Sequence, residues 1–173
     1  MIYCDTRQRV GKHANIDGWL DRHGVPYEYR KLDFGDYMTD GSNVSVDTKR
    51  GLSEVAMDVG RDHDRFMREL DRARDAGYRL VVLVEVGAPY HSTADVVRWT
   101  NDACKRCRWY RRLLCDPVSS APCRTYRSRP MRGSTLAHII EGVERSHGCR
   151  FEYCHPASTA RRICELLGVE YER

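Results

Sequence analysis

LDFGDYMTDGSNVSVDTKR, residues 32–50, is the stretch that decides the fold, because two acidic points flank a predicted hairpin within it. The turn cluster DGSN contains glycine and asparagine, which tolerate positive φ, and the arm that follows alternates polar and apolar residues as a half-buried strand does. With a period of two, Asp47 and Lys49 share the polar face of this arm, beside the start of the partner arm at Asp36. We therefore expect two carboxylates and one ammonium to converge on a sheet.

This arrangement is typical of a divalent-metal site. Carboxylate oxygens are the hard ligands that Mg²⁺ or Mn²⁺ prefers, and a neighbouring lysine can orient or polarise a water molecule or a phosphate oxygen. For an isolated D…DxK pattern, two surface aspartates and a lysine on a solvated hairpin are the commoner arrangement. The flanking sequence reverses that preference.

Length and composition indicate one globular domain. The chain has 173 residues, enough for a sizeable core, and its 41% hydrophobic and 31% charged content excludes a disordered chain. No apolar run approaches the roughly 18 residues of a membrane span. Asp5 and Arg7 interrupt any apolar core of a signal peptide, so we expect a cytoplasmic protein whose cysteines are thiols or metal ligands.

The charge distribution points to a polyanionic partner. Residues 104–132 hold nine lysines and arginines against one acid, Asp116, which gives this segment +8, whereas the rest of the chain is −4. A concentrated basic segment on a mildly acidic body is typical of nucleic-acid binding. Within this segment Arg108, Arg111 and Arg112 are the candidate DNA contacts.

The order of predicted elements indicates an α/β domain, with a mixed central sheet flanked by helices. Outside the hairpin, strands are expected at 2–5, 26–30, 80–84 and 149–154, and helices at 11–23, 52–59, 61–76, 134–147 and 157–167, with a helical turn at 94–99. Ser134 is the expected N-cap of its helix. The segment from about residue 101 to residue 132 shows neither helical nor strand periodicity of its apolar residues, and we interpret it as a small cysteine-rich insertion.

The eight cysteines fall into two groups. Four lie in apolar elements and are expected to be core thiols: Cys4, Cys149, Cys154 and Cys164. The other four follow the pattern C-x2-C-x7-C-x7-C and are candidate ligands of a structural Zn²⁺: Cys104, Cys107, Cys115 and Cys123. Free thiols on a basic loop are the alternative for this second group.

Four short motifs together resemble the nuclease domain of XPF-type structure-specific endonucleases, of the PD-(D/E)XK superfamily. They are DTRQ at 5–8, GDY at 35–37, VDTK at 46–49 and LVE at 83–85. Five further stretches resemble the single-domain phage and bacterial branch: GKH at 11–13, DHDRF at 62–66, TLAHI at 135–139, FEYCHP at 151–156 and ELLG at 165–168.

The resemblance implies a restriction-endonuclease-like fold and a role for each site residue. Asp36 and Asp47 would hold Mg²⁺ or Mn²⁺, and Lys49 would be the catalytic lysine. Asp5 would make an outer-sphere or second-metal contact, or else cap the following helix. Arg7 would bind a phosphate or pair with Asp36.

The sequence departs from the family pattern at three positions. Gln8 replaces an acid, and Thr48 stands where relatives have arginine. No acid matches at Ser53, although Glu54 follows it. We find no motif of the tandem helix-hairpin-helix module of larger relatives in these residues, so we expect another surface to hold the nucleic acid.

Three functions compete on this sequence. The first is a metal-dependent, structure-selective DNA endonuclease. The second is a catalytically weak or inactive nuclease-fold DNA-binding protein, for which the substitutions at Gln8 and Thr48 leave room. The third is a zinc-dependent module for protein partners, against which the arginine excess counts. The sequence leaves open whether the chain forms a homodimer and whether it prefers DNA or RNA.

Overall fold

The computed structural model describes residues 1–7, 14–119 and 121–172. Within these residues the strands are β1 Ile2–Asp5, β2 Tyr27–Arg30, β3 Tyr37–Thr39, β4 Val44–Lys49, β5 Arg79–Glu85 and β6 Arg150–Cys154. The helices are α1 Ala14–Arg22, α2 Leu52–Asp58, α3 His63–Asp75, α4 Thr93–Val96, α5 Asp102–Arg106, α6 Arg108–Arg111, α7 Gly133–His147 and α8 Thr159–Leu167. The predicted start of α1 at residue 11, with the GKH stretch and Gln8, lies outside the described residues.

The six strands form one mixed sheet in the order β2-β1-β3-β4-β5-β6. The predicted hairpin is confirmed, since β3 and β4 pair antiparallel with Tyr37 opposite Val46. Strand β1 pairs parallel with β2 and antiparallel with β3, while β4, β5 and β6 run parallel. Strand β4 therefore lies inside the sheet, between its hairpin partner and the most apolar strand.

Helices cover both faces of the sheet, which confirms the predicted α/β class. On one face α2, α3 and α7 pack against β5 through residues such as Phe66, Leu70 and Leu136. On the other face α1 and α8 pack against β1 and β4 through Leu20 and Ile163. Each helix contributes an apolar stripe at helical spacing, the pattern that buries one side of a surface helix.

The prediction that β4 is half-buried is wrong, because all six of its residues are buried. Val44 and Val46 face the α1 and α8 layer, as expected. The alternating polar residues face α2 and α3 instead of solvent. The period-two pattern gave the correct division of side chains between the faces, but it could not show that the polar face would also be covered.

Helix α7 begins earlier than its sequence predicts. Its N-cap is Arg132 rather than Ser134, and no side chain caps it. Gly133 explains the shift, because a Cβ there would lie 2.3 Å from the Val96 carbonyl oxygen and 2.6 Å from that of Trp99. Only glycine allows the first residue of α7 to pack directly against the backbone that follows α4. This contact fixes the position at which the chain re-enters the fold after residues 101–132.

The segment 101–132 is more ordered locally than predicted, and only Met131, near its end, packs against the core cluster as a half-buried residue. It holds the short helices α5 and α6, and none of its described residues, 101–119 and 121–132, is buried. The Ser53 hydroxyl of α2 donates a hydrogen bond to the Asp102 carboxylate, which ties α5 to the body. Of the cysteines expected in the core, Cys4, Cys149 and Cys164 are buried and Cys154 is half-buried.

No helix within the described ranges is both long enough and apolar enough to traverse a lipid bilayer.

Candidate active site

The chain turn before β3 places Asp36 between two strands. The Asp36 N–H donates to the Val46 carbonyl oxygen at 2.7 Å, and its own carbonyl oxygen accepts from the Asp5 N–H at 2.9 Å. Gly35 precedes it with φ of 65°, in a position where a Cβ would lie 2.2 Å from the Ser45 hydroxyl oxygen. The glycine of the GDY motif is thus required for Asp36 to pack this closely against β4.

Asp36 and Asp47 are both buried, with 9% and 5% of their surfaces exposed. Asp36 Oδ2 accepts hydrogen bonds from the Thr48 backbone N–H at 2.9 Å and from the Thr48 hydroxyl. Thr48, which departs from the family pattern, therefore orients the Asp36 carboxylate.

Lys49 lies between two buried carboxylates. Its Nζ is 2.8 Å from Asp47 Oδ2 and 2.8 Å from Asp58 Oδ2, and only 8% of the lysine side chain is exposed. Asp58, at the end of α2, in turn pairs through Oδ1 with Arg65 of α3 at 2.8 Å. One ammonium therefore links the central strand to the two helices that cover it.

The two Oδ2 atoms that contact Lys49 are fully buried and accept no hydrogen bond of good geometry. The short distances to Nζ nevertheless place them in ion pairs. Attraction between full charges depends on distance far more than on angle, so each oxygen is held mainly by its ion pair with Lys49.

Burial and neighbouring charges together set the pKa values of the site. Burial raises the pKa of Asp47 to about 6, against the opposing effect of Lys49, and the nearby Asp36 carboxylate raises it further. Burial lowers the pKa of Lys49, but Asp47 and Asp58 outweigh it, so the net pKa is raised and the lysine stays charged. Burial and then Asp47 also raise the pKa of Glu69, on α3.

The charge balance of the site suits a divalent cation. Four carboxylates act on one another here, those of Asp36, Asp47, Asp58 and Glu69, and two cations, Lys49 and Arg65, offset them. The acids thus exceed these cations by two, and their hard oxygen atoms are of the kind that Mg²⁺ and Mn²⁺ bind. Among the described residues no three His, Cys, Asp or Glu side chains converge as a metal-holding group. Asp36 and Asp47 are the residues that could hold such an ion, which would then keep several water ligands.

Asp5 and Arg7 bind each other beside this pair. Asp5 Oδ2 accepts from Arg7 Nε at 2.8 Å, and Oδ1 accepts from the Leu32 N–H at 3.1 Å. Arg7 also donates to the Leu32 carbonyl oxygen. Asp5 thereby holds the loop that leads into the GDY motif. Arg7, for which we expected either a phosphate or Asp36 as the partner, is half-exposed and pairs with Asp5.

Two acids of the resembling motifs, Glu54 and Glu85, bind neighbouring groups of the chain rather than the carboxylate pair. Glu54 accepts a hydrogen bond from the Arg50 N–H at 2.7 Å, at the start of α2, so it does not replace the downstream acid of the family pattern. Glu85 accepts from the Thr159 hydroxyl at 2.7 Å, against α8.

Sequence reasoning missed Asp58 and Glu69 and did not assign a role to Arg65. A signal for Asp58 was present, since it lies three residues after Val55 on the buried stripe of α2. An acid on an apolar helical stripe needs a buried cation as its partner. Arg65 lies within the DHDRF stretch that carried part of the resemblance.

A cleft of about 270 Å³ opens at the C-terminal ends of β4 and β5, one residue beyond Lys49. Arg50, Ser53, Glu85 and Lys105 are among its lining residues, so helix α5 forms one wall. Crevices at the carboxyl ends of parallel strands are common ligand sites in α/β folds.

The basic segment presents its arginines to solvent. Arg108, Arg111 and Arg112 are all exposed. The guanidinium groups of Arg108 and Arg124 lie 4.8 and 5.1 Å from the centre of the Trp109 ring. This indole therefore holds arginines in place by cation–π contact.

The four clustered cysteines are free and half-buried, and they do not form a metal group in the structure. Burial raises the pKa of Cys104, and Cys123, Cys115 and Cys107 raise it further, so each of these three thiols acts on Cys104. Hydrogen bonds to Cys107, first from Thr125, lower its pKa.

Comparison with solved structures identifies the fold. XPF from Aeropyrum pernix matches 96% of this chain with a TM-score of 0.57 and 20% sequence identity, and XPF from Aeropyrum pernix in complex with DNA matches 96% with a TM-score of 0.58 and 19% identity. The chain spans 62% of each of those chains. No family model matches the sequence, and no curated protein matches it.

The chain thus has an α/β nuclease fold. In particular it resembles XPF, as its GDY and VDTK motifs indicate, over nearly its whole length. The narrower resemblance to the phage and bacterial branch stays a prediction.

The raised pKa of Asp47 predicts a stability test. Asp47 binds its proton more tightly in the folded chain, with a pKa of about 6 against 3.8, so its ionised form costs stability above pH 6 and not below about pH 4. Asp47→Asn should therefore be more stable than the parent at pH 7.5 without divalent metal, by up to about 3 kcal/mol, and equal to it at pH 4. Urea unfolding at both pH values measures this.

Asp33→Asn, which changes an exposed acid of the preceding loop, is the matched control and should show no such pH-dependent gain. A loss of stability in Asp47→Asn at pH 7.5 would mean that the ion pair with Lys49 outweighs the cost of burying the carboxylate.

Proposed function

We propose that the chain is a metal-dependent DNA endonuclease that selects DNA structure and hydrolyses phosphodiester bonds. The observation that carries the proposal is the buried pair Asp36 and Asp47, with Lys49 beside it, in a cluster whose carboxylates exceed its cations by two. The XPF-like fold supports the proposal.

Asp36 and Asp47 would hold Mg²⁺ or Mn²⁺, which when bound supplies charge neutralisation at the phosphate and a more acidic water. Lys49 contributes a fixed positive charge next to the carboxylate pair, where it stabilises the negative charge that develops on the attacked phosphate. In the reaction a water oxygen bonds to phosphorus, the bond to one ester oxygen breaks, and that oxygen takes up a proton.

Asp58 is a positioning residue in this scheme. It contacts Lys49 from α2 and is itself held by Arg65, so it limits the freedom of the ammonium. Asp5 acts in a similar way through Arg7 and the backbone of Leu32, rather than as a metal ligand.

DNA is proposed as the substrate because the chain pairs this site with a separate basic surface. Arg108, Arg111 and Arg112 are exposed on a segment of net charge +8. Helix α5 of the same segment borders the cleft next to Lys49, so DNA bound by the segment lies near the carboxylates. A solved structure with a similar fold is XPF from Aeropyrum pernix in complex with DNA, which supports the same choice of substrate.

A catalytically weak DNA-binding protein is the second candidate. The raised pKa of Asp47 favours this second candidate. Near pH 6 the Asp47 carboxyl is protonated in about half of the molecules when no metal ion is bound. Metal binding would displace that proton, so the two candidates differ in their response to Mg²⁺ at neutral pH.

The first test addresses catalysis. Asp36→Asn and Asp47→Asn should each abolish Mg²⁺-dependent or Mn²⁺-dependent cleavage, because an amide cannot replace a charged ligand. Lys49→Ala should keep metal binding and lose most of the rate, on the order of 10²-fold or more. The assay is cleavage of a panel of single-stranded, duplex, flap and four-way DNA substrates.

Asp33→Asn is again the control and should cut at the parent rate. If the Asp36→Asn, Asp47→Asn double variant cuts as fast as the parent, the site is wrongly assigned; if the parent cuts nothing on the panel, the second candidate stands.

The basic segment should supply most of the DNA affinity. Each arginine that neutralises a phosphate releases a counterion, with a log–log salt slope of roughly −0.7 to −0.9 per contact. Changing Arg108, Arg111 and Arg112 to alanine should weaken binding and flatten the slope by about two to three units, with the rate at saturating DNA nearly unchanged. Salt titrations on one labelled DNA measure both quantities.

Arg22, Arg145 and Arg161 are exposed on other helices, and their triple alanine variant is the matched control. Equal slopes in the parent and in the variant of the basic segment would place the DNA surface elsewhere.

We also propose that the clustered cysteines bind one structural Zn²⁺. The effect of the three other thiols on Cys104 supports this, and the four thiols must move together to complete a tetrahedral site. Elemental analysis of protein purified without added metal should find about one zinc per chain, and none in Cys104→Ser, Cys107→Ser protein. Protein without zinc, whose four thiols all react freely, refutes the site.

A further inference from the structure

The end of helix α6 exposes two leucines side by side. Leu113 is 92% exposed and Leu114 is 55% exposed. They directly follow Arg111 and Arg112, which are also exposed. Adjacent large apolar side chains in water are unfavourable unless a partner covers them.

Hydrogen bonds fix the backbone at this point. The Leu113 N–H donates to the Tyr110 carbonyl oxygen and the Leu114 N–H to that of Trp109, both at 2.9 Å. This pair of bonds is a Schellman motif, which requires the left-handed conformation at its penultimate residue. Leu113 adopts it with φ of 59°, and among the described residues it alone does so without being glycine.

Three other helices of the chain end with the same pair of hydrogen bonds. In α1, α3 and α8 the left-handed position is glycine: Gly24, Gly77 and Gly168. The residue after each glycine is buried or half-buried: Val25, Tyr78 and Val169. Helix α6 differs in both respects, since it places leucine where the chain otherwise uses glycine and leaves the next residue in solvent.

This difference favours a role outside the folded core. A side chain in the left-handed region strains the backbone, and Leu113 gains no burial within the protein that would offset the strain. The conformation instead holds its side chain rigidly outward, at the tip of a helix that carries Arg108 and Arg111.

We propose that Leu113 and Leu114 form a wedge that inserts between neighbouring bases where duplex DNA adjoins an unpaired strand. The surrounding arginines select a polyanion, and apolar side chains flanked by arginines are a known means of unstacking bases. Unstacking costs least where a base lacks a paired neighbour, so the wedge favours junctions over continuous duplex. The inference rests on the proposed function only in taking DNA as the partner.

The test uses binding without cleavage. A duplex with one single-stranded arm carries 2-aminopurine at the junction, and the full chain is titrated in EDTA. The parent should raise the fluorescence, which reports unstacking, whereas Leu113→Gly should not and should bind the junction roughly tenfold more weakly. Leu113→Gly should fold at least as stably as the parent, since glycine suits the left-handed position. Affinity for blunt duplex should change by less than about twofold, because the arginines remain.

Val97→Ala, which shortens a half-exposed apolar side chain outside the basic segment, is the control and should bind as the parent does. Two results overturn the wedge: no fluorescence rise with the parent, or unchanged junction binding by Leu113→Gly. Loss of self-association in Leu113→Gly, seen by sedimentation with DNA binding intact, also overturns it and makes the leucines a protein contact. Cleavage by the parent in Mg²⁺ is scored separately, so failure of the wedge and failure of the nuclease proposal are distinguishable.

Discussion

The ammonium of Lys49 between Asp47 and Asp58 is the interaction on which the site depends. Removing three charged groups from water is expensive, and the close ion pairs and the further contact from Arg65 to Asp58 offset that cost. The same contacts join β4, α2 and α3 into one unit. Removal of Lys49 would leave two buried carboxylates without their shared cation, which destabilises proteins far more than losing a surface pair.

The charges of this buried cluster around Lys49 are nevertheless not balanced by the protein itself. Its carboxylates outnumber its cations by two, and the burial of Asp47 raises the pKa of that carboxyl. Residues placed for function commonly lower the stability of the folded state in this way. A bound divalent cation would supply the missing positive charge, so the features that look unfavourable in the fold are those that the proposed chemistry requires.

Much of the fold could be predicted from local patterns, because hairpin turns, glycine stops and apolar periodicity act over short distances. The hairpin, the central strand β5 and helices α3 and α8 follow from them. Long-range packing could not be predicted: the polar face of β4 is covered by α2 and α3, and Asp58 meets Lys49 only in the folded chain. The exposure of Leu113 could not be predicted either, since nothing in the sequence RRLLC indicates that a helix ends there with leucine in the position that glycine usually occupies.

Binding of Mn²⁺, followed by electron paramagnetic resonance at pH 7.5, tests the central claim most directly because it needs no DNA and no cleavage. The account predicts one tightly bound ion per chain, lost in Asp36→Asn and in Asp47→Asn, and weakened in the parent as the pH falls through about 6 and Asp47 takes up its proton. Binding that is absent from the parent, or that is the same in the parent and in Asp47→Asn, would contradict it.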